Sequence, residues 1–283
     1  MASAEHVARR AKSVTRRSAA NPALELLERA GYLVRGVLYA AMGTFALGLA
    51  LGLGGTATDQ SGSLVILTGG SAGKVVLFAV VIGLGAYSIW GFVRAIFDPL
   101  NRGKDPAGVA ERLGFAWSGI AYLSIVIFAL NLLGGTAHPN HDATHDTIAR
   151  ILGYPPGQLA AIAIGFVAVA VGLGQFYIAV KATFKQDLKR GEMNEAEKKV
   201  VDALGRLGMV SRGVIFTLVG WFIVQGGLAH DPSRVHGFGG AFVFLLDQPF
   251  GRLLLGVVAV GFIALGLHSF ACARWIRLLG SRS

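Results

Sequence analysis

The sequence predicts an all-α integral membrane protein whose six transmembrane helices form three parallel two-helix repeats, with both termini cytoplasmic. Three observations predict this architecture. Hydrophobic residues make up 53% of the chain and charged residues only 15%, which is too little charge to cover the surface of a soluble protein. Several long apolar runs approach or exceed the ~20 helical residues that cross ~30 Å of hydrocarbon. One sequence pattern also recurs three times along the chain.

The apolar runs are free of charged residues and define the six predicted spans. They lie at residues 36–53, 75–93, 113–133, 157–180, 213–229 and 253–273. The first run is the shortest, and it extends back to Gly31 if the Arg35 side chain reaches up to the membrane surface. A cleavable signal peptide is the alternative for this run. Its long basic leader and its flanking glycines argue against cleavage.

Basic side chains are concentrated on one side of the predicted membrane. They cluster in the N-terminal tail, in the loops after the second and fourth spans, and at the C-terminus. Because cytoplasmic loops carry the excess of Lys and Arg, we expect a multi-pass protein of the cytoplasmic membrane with both termini inside the cell. The net charge of +10 is then expected to meet anionic lipid headgroups, with another membrane protein as a further candidate partner and no nucleic acid.

The openings of the odd-numbered spans share one pattern, a glycine followed at fixed spacing by Arg-Gly or Ser-Gly and then an aromatic residue. The first copy is Gly31, Arg35, Gly36 and Tyr39; the second is Gly114, Ser118, Gly119 and Tyr122; the third is Gly208, Arg212, Gly213 and Phe216. Glycine also recurs where the even spans begin, as in Gln248-Pro249-Phe250-Gly251. This pattern resembles the bacterial membrane family called domain of unknown function 1206. The resemblance covers residues 28 to 279 and implies three two-helix units, without implying an activity.

The predicted organisation follows from these repeats. A basic cytoplasmic tail at 1–27 precedes repeat 1 at 28–100, repeat 2 at 108–186, an amphipathic cytoplasmic helix at 187–207 and repeat 3 at 205–279. Asn194 and Glu197 have the spacing of a capping box at the start of this helix. Its apolar residues share one face, so we expect it to lie flat on the membrane surface.

Arginines near the start of the odd spans are the first candidate site. Arg35 and Arg212 occupy equivalent repeat positions just inside the hydrocarbon, where a charge is costly. One interpretation is a basic pocket that binds an anionic lipid or another anionic ligand. Its residues would be Arg29, Arg35, Arg112, Arg206 and Arg212. The other interpretation is that these side chains extend to the lipid headgroups and anchor the helix ends.

Histidines in an outer loop are the second candidate. His141 and His145 are four residues apart, so one helical turn would place both imidazoles on the same side, as a Zn²⁺ or Cu²⁺ site requires. The candidate metal ligands are His138, His141, His145 and Asp146, with His230, Asp231 and His236 of another outer loop as possible additions. The spacing matches no established metal signature, so a solvated loop is the alternative, and no cofactor is expected.

Catalytic chemistry is not indicated. Ser71 lies in a Gly-x-Ser-x-Gly string, but His268 is expected on the opposite side of the bilayer, roughly 25 Å down the last span. No Asp or Glu lies in the central part of any predicted span, which argues against transport coupled to protons or cations. Cys272, the single cysteine, is expected to be a packing residue.

Two functions therefore remain open. The favoured one is a non-enzymatic accessory or scaffold protein that binds anionic lipid or a membrane partner. The alternative is a small transporter or channel for an anionic solute, for which three repeats around an axis would frame a central path. The polar residues away from the ends of the odd spans, Thr44, Asn131 and Thr217, would make a thin lining for such a path.

Overall fold

The structure is a computed structural model that describes residues 22–55, 57–70, 72–98, 106–136 and 142–276, so most of the basic tail lies outside the described residues. Nine α-helices occur in the described part of the chain. They are α1 (Pro22–Leu51), α2 (Gln60–Thr68), α3 (Gly73–Phe97), α4 (Pro106–Leu133), α5 (Ala143–Leu152), α6 (Gly157–Lys181), α7 (Glu195–Ala229), α8 (Phe238–Leu246) and α9 (Gly251–Trp275). Six of them, α1, α3, α4, α6, α7 and α9, are long and apolar enough to cross a membrane, which confirms the predicted spans.

Each repeat contains an element that the sequence did not predict, a short helix between its two spans. Repeat 1 is α1–α2–α3, repeat 2 is α4–α5–α6 and repeat 3 is α7–α8–α9. The short helices have nine or ten residues, about 14 Å at ~1.5 Å per residue, which is too short to cross the hydrocarbon. We call the end of the bundle where α1, α4 and α7 finish the distal end, and the opposite end the proximal end.

The chain enters the first short helix by turning back along α1. A side-chain carbon added to Gly55 would lie 2.5 Å from the Phe45 carbonyl oxygen and 2.8 Å from the Leu49 backbone nitrogen, so only glycine fits there. The backbone therefore runs close against α1, from the distal end toward the middle of the bundle. Asp59 then caps α2, because its side chain accepts a hydrogen bond from the Gly62 backbone N–H.

The even spans begin with the same turn in all three repeats. Their first residues are Gly73, Gly157 and Gly251. Each of these glycines donates its N–H to the carbonyl three residues earlier, at 2.9, 2.8 and 2.8 Å respectively. A glycine is needed because a side chain here would collide with the backbone at the end of the preceding short helix. The glycine that recurs in the sequence thus allows a tight turn between the short helix and the even span.

The three repeats are arranged in a ring. The even span of each repeat lies against the odd span of the next, so α3 packs on α4, α6 packs on α7, and α9 returns to pack on α1. One joint in this ring is weak, because α4 and α6, the two spans of repeat 2, hardly touch in the described residues. The ring therefore has an open seam toward the lipid at repeat 2, which we call the α4–α6 seam.

Glycines bring α6 and α7 into close contact. A side-chain carbon on Gly220 would lie 2.6 Å from the Val169 backbone nitrogen, and one on Gly172 would lie 2.7 Å from the Thr217 backbone nitrogen. Small residues at such positions let membrane helices approach until their backbones touch, which maximises van der Waals contact. Repeat 2 is therefore joined more firmly to repeat 3 than its own two spans are joined to each other.

The predicted flat amphipathic helix is wrong in one respect. Residues 195–207 are the first turns of α7 and continue directly into the span, although the Asn194–Glu197 capping box is present as predicted. The reason is glycine on the packed face, because Gly205 lies against Phe184 and His268, and Gly208 lies against Leu265 of α9. The ion pairs of Asp202 with Lys185, at 2.7 Å, and with Arg190, at 2.6 Å, fasten this end of α7 to the linker before it.

Candidate anion-binding site

Arg35 does not extend to the membrane surface. Its side chain points into the bundle, only 7% of the residue is exposed, and Nη1 donates a hydrogen bond of 2.8 Å to the Tyr87 hydroxyl. Four tyrosine rings surround the guanidinium, with ring centres 5.4 to 6.0 Å from its central carbon. They belong to Tyr32, Tyr39, Tyr87 and Tyr122. Cation–π attraction from these rings partly replaces the hydration that the charge loses on burial.

Arg212 approaches the same place from repeat 3. It is 8% exposed, and its guanidinium carbon lies 5.1 Å from the centre of the Phe216 ring and 6.0 Å from the centre of the Tyr39 ring. Arg35 and Arg212 therefore share Tyr39 as a neighbour. The site thus joins the first and third repeats, which are far apart in sequence, and we call it the Arg35–Arg212 cluster.

The cluster contains more hydrogen-bond donors than acceptors. Arg35 Nε and Arg212 Nε are buried and have no hydrogen-bond partner among the residues that the structure describes. The Gln60 amide, at the first position of α2, lies beside Tyr39, whose hydroxyl bonds that of Tyr122 at 3.0 Å. Buried N–H groups are normally satisfied, so an acceptor beside these two arginines would be favourable.

The cluster also has an unbalanced charge. A guanidinium stays protonated at all physiological pH values, so Arg35 and Arg212 bring two positive charges into the bundle. Among the residues that the structure describes, no carboxylate forms an ion pair with either of them. An unpaired buried charge is strongly destabilising, and a small anion between these groups would supply both the acceptor and the counter-charge.

The depth of the cluster is fixed by the odd spans. Tyr39 precedes Leu51, the last residue of α1, by 12 residues, which is about 18 Å of helix. Phe216 precedes Ala229, the last residue of α7, by 13 residues, about 20 Å. With ~30 Å of hydrocarbon to cross, both positions lie near the middle of the bundle.

The N-termini of the three short helices meet at a junction beside the cluster. Asp142, which caps α5, accepts hydrogen bonds from the backbone N–H groups of Thr144 and His145, and also from Gly237, which precedes α8, at 2.8 Å. A side-chain carbon on Gly239 would lie 2.6 Å from the carbonyl oxygen of Ala57, two residues before Asp59. The positive ends of the helix dipoles of α2, α5 and α8 therefore meet at one place.

Asp59 is an unusual carboxylate in this junction. Burial raises its pKa, the neighbouring charge of Asp142 raises it further, and the hydrogen bond from the Gly62 backbone N–H only partly offsets these effects. The net direction is upward from the ordinary value of an aspartate. Asp59 therefore takes up a proton at a higher pH than an exposed carboxylate does.

The site has the repeat pattern of the sequence, with one substitution. Tyr39, Tyr122 and Phe216 are equivalent, and the Phe216 ring lies 5.2 Å from that of Phe238, the first residue of α8, just as Tyr39 lies beside the first residue of α2. Ser118 replaces the arginine in repeat 2. The cluster therefore has two positive charges in place of three.

The structure separates the other predicted arginines from this pair. Arg112 donates to the carbonyl oxygens of Ala95 and Ile96, at 2.8 and 3.1 Å, and so caps the end of α3. Arg206 is exposed on α7, and Arg29 is half-buried on α1, six residues before Arg35. Only Arg35 and Arg212 of the predicted set are brought together around one ring.

The predicted metal ligands are only partly described. His138 and His141 lie outside the described residues, while His145 Nδ1 bonds Asp146 Oδ1 at 2.8 Å. In the described ranges, no group of three or more His, Cys, Asp or Glu side chains is arranged to hold a metal ion. Ser71 also lies outside the described residues. His268 is buried against Phe184 and bonds the Val201 carbonyl oxygen at 3.3 Å, as a packed polar residue would.

The sequence did not predict the tyrosines that surround the two arginines, nor the residues at the start of α2. The residues missed are Tyr39, Tyr87, Tyr122, Gln60 and Asp59. A signal existed for two of them, because Tyr39 and Tyr122 close the same repeat pattern. Gln60 and Asp59 carried no signal, since nothing in the sequence shows that their loop turns back into the bundle.

The three-part structure matches a known family. Residues 30–98, 113–182 and 207–275 each match the family described as Domain of Unknown Function (DUF1206). The chain belongs to this family. Each DUF1206 segment takes in an odd span, the short helix after it and an even span, so the resemblance seen in the sequence is confirmed and its unit includes the short helix.

A bacterial relative has the same extent. The uncharacterized protein YxxB of Bacillus subtilis (strain 168) is 31% identical over 253 residues, which cover 88% of this chain and 90% of that protein. No solved structure matches the chain. Within the DUF1206 segments, Arg35 lies in the first and Arg212 in the third, so the cluster needs both segments to be complete.

Proposed function

We propose that this DUF1206 protein binds a small anion at the Arg35–Arg212 cluster and conducts it across the membrane, without catalysing a reaction. The observation that carries the proposal is the pair of buried arginines that share Tyr39 and lack a carboxylate partner among the described residues. Buried charges inside membrane proteins mark ligand and ion pathways more often than they stabilise the fold.

The chemistry of the cluster selects for an anion. The N–H groups of Arg35, Arg212 and Gln60 are donors and cannot coordinate a cation. Tyrosine rings cover the faces of the Arg35 guanidinium, so its remaining N–H edge is the part left for a ligand. An oxyanion or halide would accept several of these donors at once.

The position of the cluster supports transport over surface binding. A site near mid-depth, reached by half-length helices whose N-termini point inward, has the geometry with which transporters present helix dipoles to an anionic substrate. Thr44 and Asn131 are exposed, so the thin lining predicted from the sequence is replaced by tyrosine hydroxyls, arginines and Gln60. If both termini are cytoplasmic, as the distribution of basic residues predicts, the distal end of the bundle faces the outside of the cell.

The binding test uses purified protein in a buffer whose only anion is too large to enter the bundle. Chloride, nitrate, acetate and phosphate are titrated separately, and binding is followed by calorimetry and by the rise in melting temperature. We expect at least one of them to bind, and Arg35→Gln and Arg212→Gln each to weaken it by about 10- to 100-fold, the value of one charge-assisted hydrogen bond. Arg206→Gln, an exposed arginine on α7, is the matched control.

The transport test measures flux of the bound anion into vesicles that contain the purified protein. We expect flux in the wild type and in Arg206→Gln, and at least a tenfold loss in Arg212→Gln. Failure of every anion to bind the wild type, or full binding and flux in Arg212→Gln, would overturn the proposal.

A second candidate is the one that the sequence favoured, an accessory protein that binds anionic lipid. The α4–α6 seam supports it, since these two spans hardly touch in the described residues and exposed Lys181 lies at the proximal end of α6, where it is available to a lipid headgroup. Native mass spectrometry separates the candidates. Retained anionic lipid without measurable flux favours this second function, whereas flux without retained lipid favours transport.

A further inference from the structure

We propose that the anion at the Arg35–Arg212 cluster binds together with a proton carried by the Asp59 carboxylate, so that the protein moves an anion and a proton as a pair. This inference rests on the proposed function and adds the coupled ion to it. The sequence argued against proton coupling because the centre of each span lacks Asp and Glu. The structure supplies the carboxylate from a short helix instead.

Asp59 lies at the N-terminus of α2, next to the cluster. It is the cap of α2 and directly precedes Gln60, whose amide lies beside Tyr39 in the cluster. Its side chain accepts the Gly62 backbone N–H at 2.8 Å, which holds the carboxylate at the end of the helix. Asp59 is therefore adjacent in the chain to Gln60, whose amide lies in the proposed anion site.

The charge of Asp59 affects the binding of an anion. An ionised Asp59 repels an anion across a low-dielectric interior, where screening by water is weak. A protonated Asp59 removes that repulsion and leaves the N-terminus of α2 with its full positive dipole toward the ligand. The carbonyl oxygen of the neutral acid still accepts the Gly62 N–H, so protonation leaves the helix cap in place.

The other titratable groups around α2 have different roles. The elements packed on it carry Arg35 and Tyr39 (α1), Tyr87 (α3) and Tyr122 (α4), and none of these side-chain types changes charge between pH 4 and 8 in its ordinary range. Across the junction, Asp142 is already the acceptor for three backbone N–H groups. His236 is exposed before α8, and His145 lies on the first turn of α5, where it pairs with Asp146.

The environment of Asp59 agrees with this role. Burial and the nearby Asp142 charge raise its pKa, as described above, so that Asp59 takes up a proton at a higher pH than an exposed aspartate does. Binding linkage is reciprocal, so an anion that prefers the protonated form must in turn strengthen proton binding at Asp59. Such a pair of ligands binds with positive cooperativity and crosses the membrane with less net charge than the anion alone.

The test measures the dissociation constant of the bound anion between pH 4.5 and 8 in the wild type and in Asp59→Asn. For one linked proton, we expect wild-type affinity to fall by up to about tenfold per pH unit above the Asp59 pKa. Asn keeps a side-chain oxygen that caps α2, so Asp59→Asn should fold and bind the anion with a dissociation constant independent of pH. Asp231→Asn is the matched control, because it replaces a part-exposed capping aspartate in a distal loop.

Transport supplies the second readout. In vesicles loaded with a pH indicator, an inward anion gradient should acidify the lumen with wild-type protein and leave its pH unchanged with Asp59→Asn. A wild-type dissociation constant that does not change with pH overturns this inference and leaves the anion site standing. The inference is also overturned if Asp59→Asn keeps the wild-type pH dependence, or if His145→Gln or His236→Gln removes it. Absence of anion binding at every pH overturns the proposed function itself.

Discussion

The hydroxyl groups of Tyr39 and Tyr122 hydrogen-bond each other at 3.0 Å, although 83 positions separate them in the chain. They occupy the same place in the first and second repeats. Only one of the two hydroxyls can donate in this bond, so the other keeps a free O–H. The pair therefore joins two repeats and leaves one further donor available beside Arg35 and Arg212.

Tyr122→Phe tests this pair. Removal of the hydroxyl leaves Tyr39 without its partner, and we expect a loss of about 1 kcal/mol in stability together with weaker anion binding. Thermal unfolding in detergent and anion titration would be measured on the same preparation. Tyr177→Phe is the control, because Tyr177 is 61% exposed on α6 and should change neither quantity. Equal effects in both variants would show that the hydroxyl pair has no special role.

The spans and the capping box could be predicted because their causes are local. Hydropathy over about twenty residues decides whether a segment can cross the bilayer, and the Asn194–Glu197 box needs only four neighbouring residues. The short helices could not be predicted in the same way. Their nine or ten residues are too few for a span, and their place inside the bundle depends on close approach of the Gly55 backbone to α1, a tertiary contact.

The direction of the Arg35 and Arg212 side chains also could not be predicted from the sequence. Their spacing within the repeats made Arg35 and Arg212 candidates, but both the surface and the interior were open to side chains of that length. The direction was decided by Tyr39, Tyr87 and Tyr122, which lie on three different helices. Arg112 was also in the predicted set, and its side chain caps α3 instead.

Arg212→Gln should have opposite effects with and without anion. Without a bound anion, Arg212 is a buried charge with no carboxylate partner in the described residues, and leaving a buried charge uncompensated costs about 3–5 kcal/mol. We therefore expect a higher melting temperature for Arg212→Gln in anion-free buffer. At saturating anion the wild type should be the more stable, because binding stabilises only the folded wild type. A lower melting temperature under both conditions would indicate a purely structural arginine.

The raised pKa of Asp59 makes the stability of the folded protein depend on pH. Because the folded-state pKa is raised, the folded protein holds the proton more tightly than the unfolded chain does. The resulting stabilisation is complete below the unfolded pKa and is lost as the pH rises through the folded pKa. The melting temperature of the wild type relative to Asp59→Asn should thus fall from pH 4 toward neutral. A difference that stays constant, or rises with pH, would contradict the raised pKa.

Gly220 tests the contact between α6 and α7. A methyl group there would lie 2.6 Å from the Val169 backbone nitrogen and 2.8 Å from the Gly165 carbonyl oxygen, so the helices must move apart. We expect Gly220→Ala to lose about 1–3 kcal/mol of stability through this overpacking. Gly174→Ala on α6 is the control, since nothing lies within 4 Å of its added carbon, and it should be neutral or slightly stabilising. Unfolding by heat in the same detergent compares them directly.

The orientation of the bundle can be tested with introduced cysteines. The chain has one cysteine, Cys272, which is buried beside His268, so it should stay unreactive in the folded protein. Arg206→Cys marks the proximal half of α7, and Ser233→Cys marks a distal loop. Because the basic residues predict cytoplasmic termini, a membrane-impermeant maleimide added to intact cells should label Ser233→Cys and leave Arg206→Cys unlabelled until the cells are opened. The reverse pattern would place the distal end of the bundle on the cytoplasmic side.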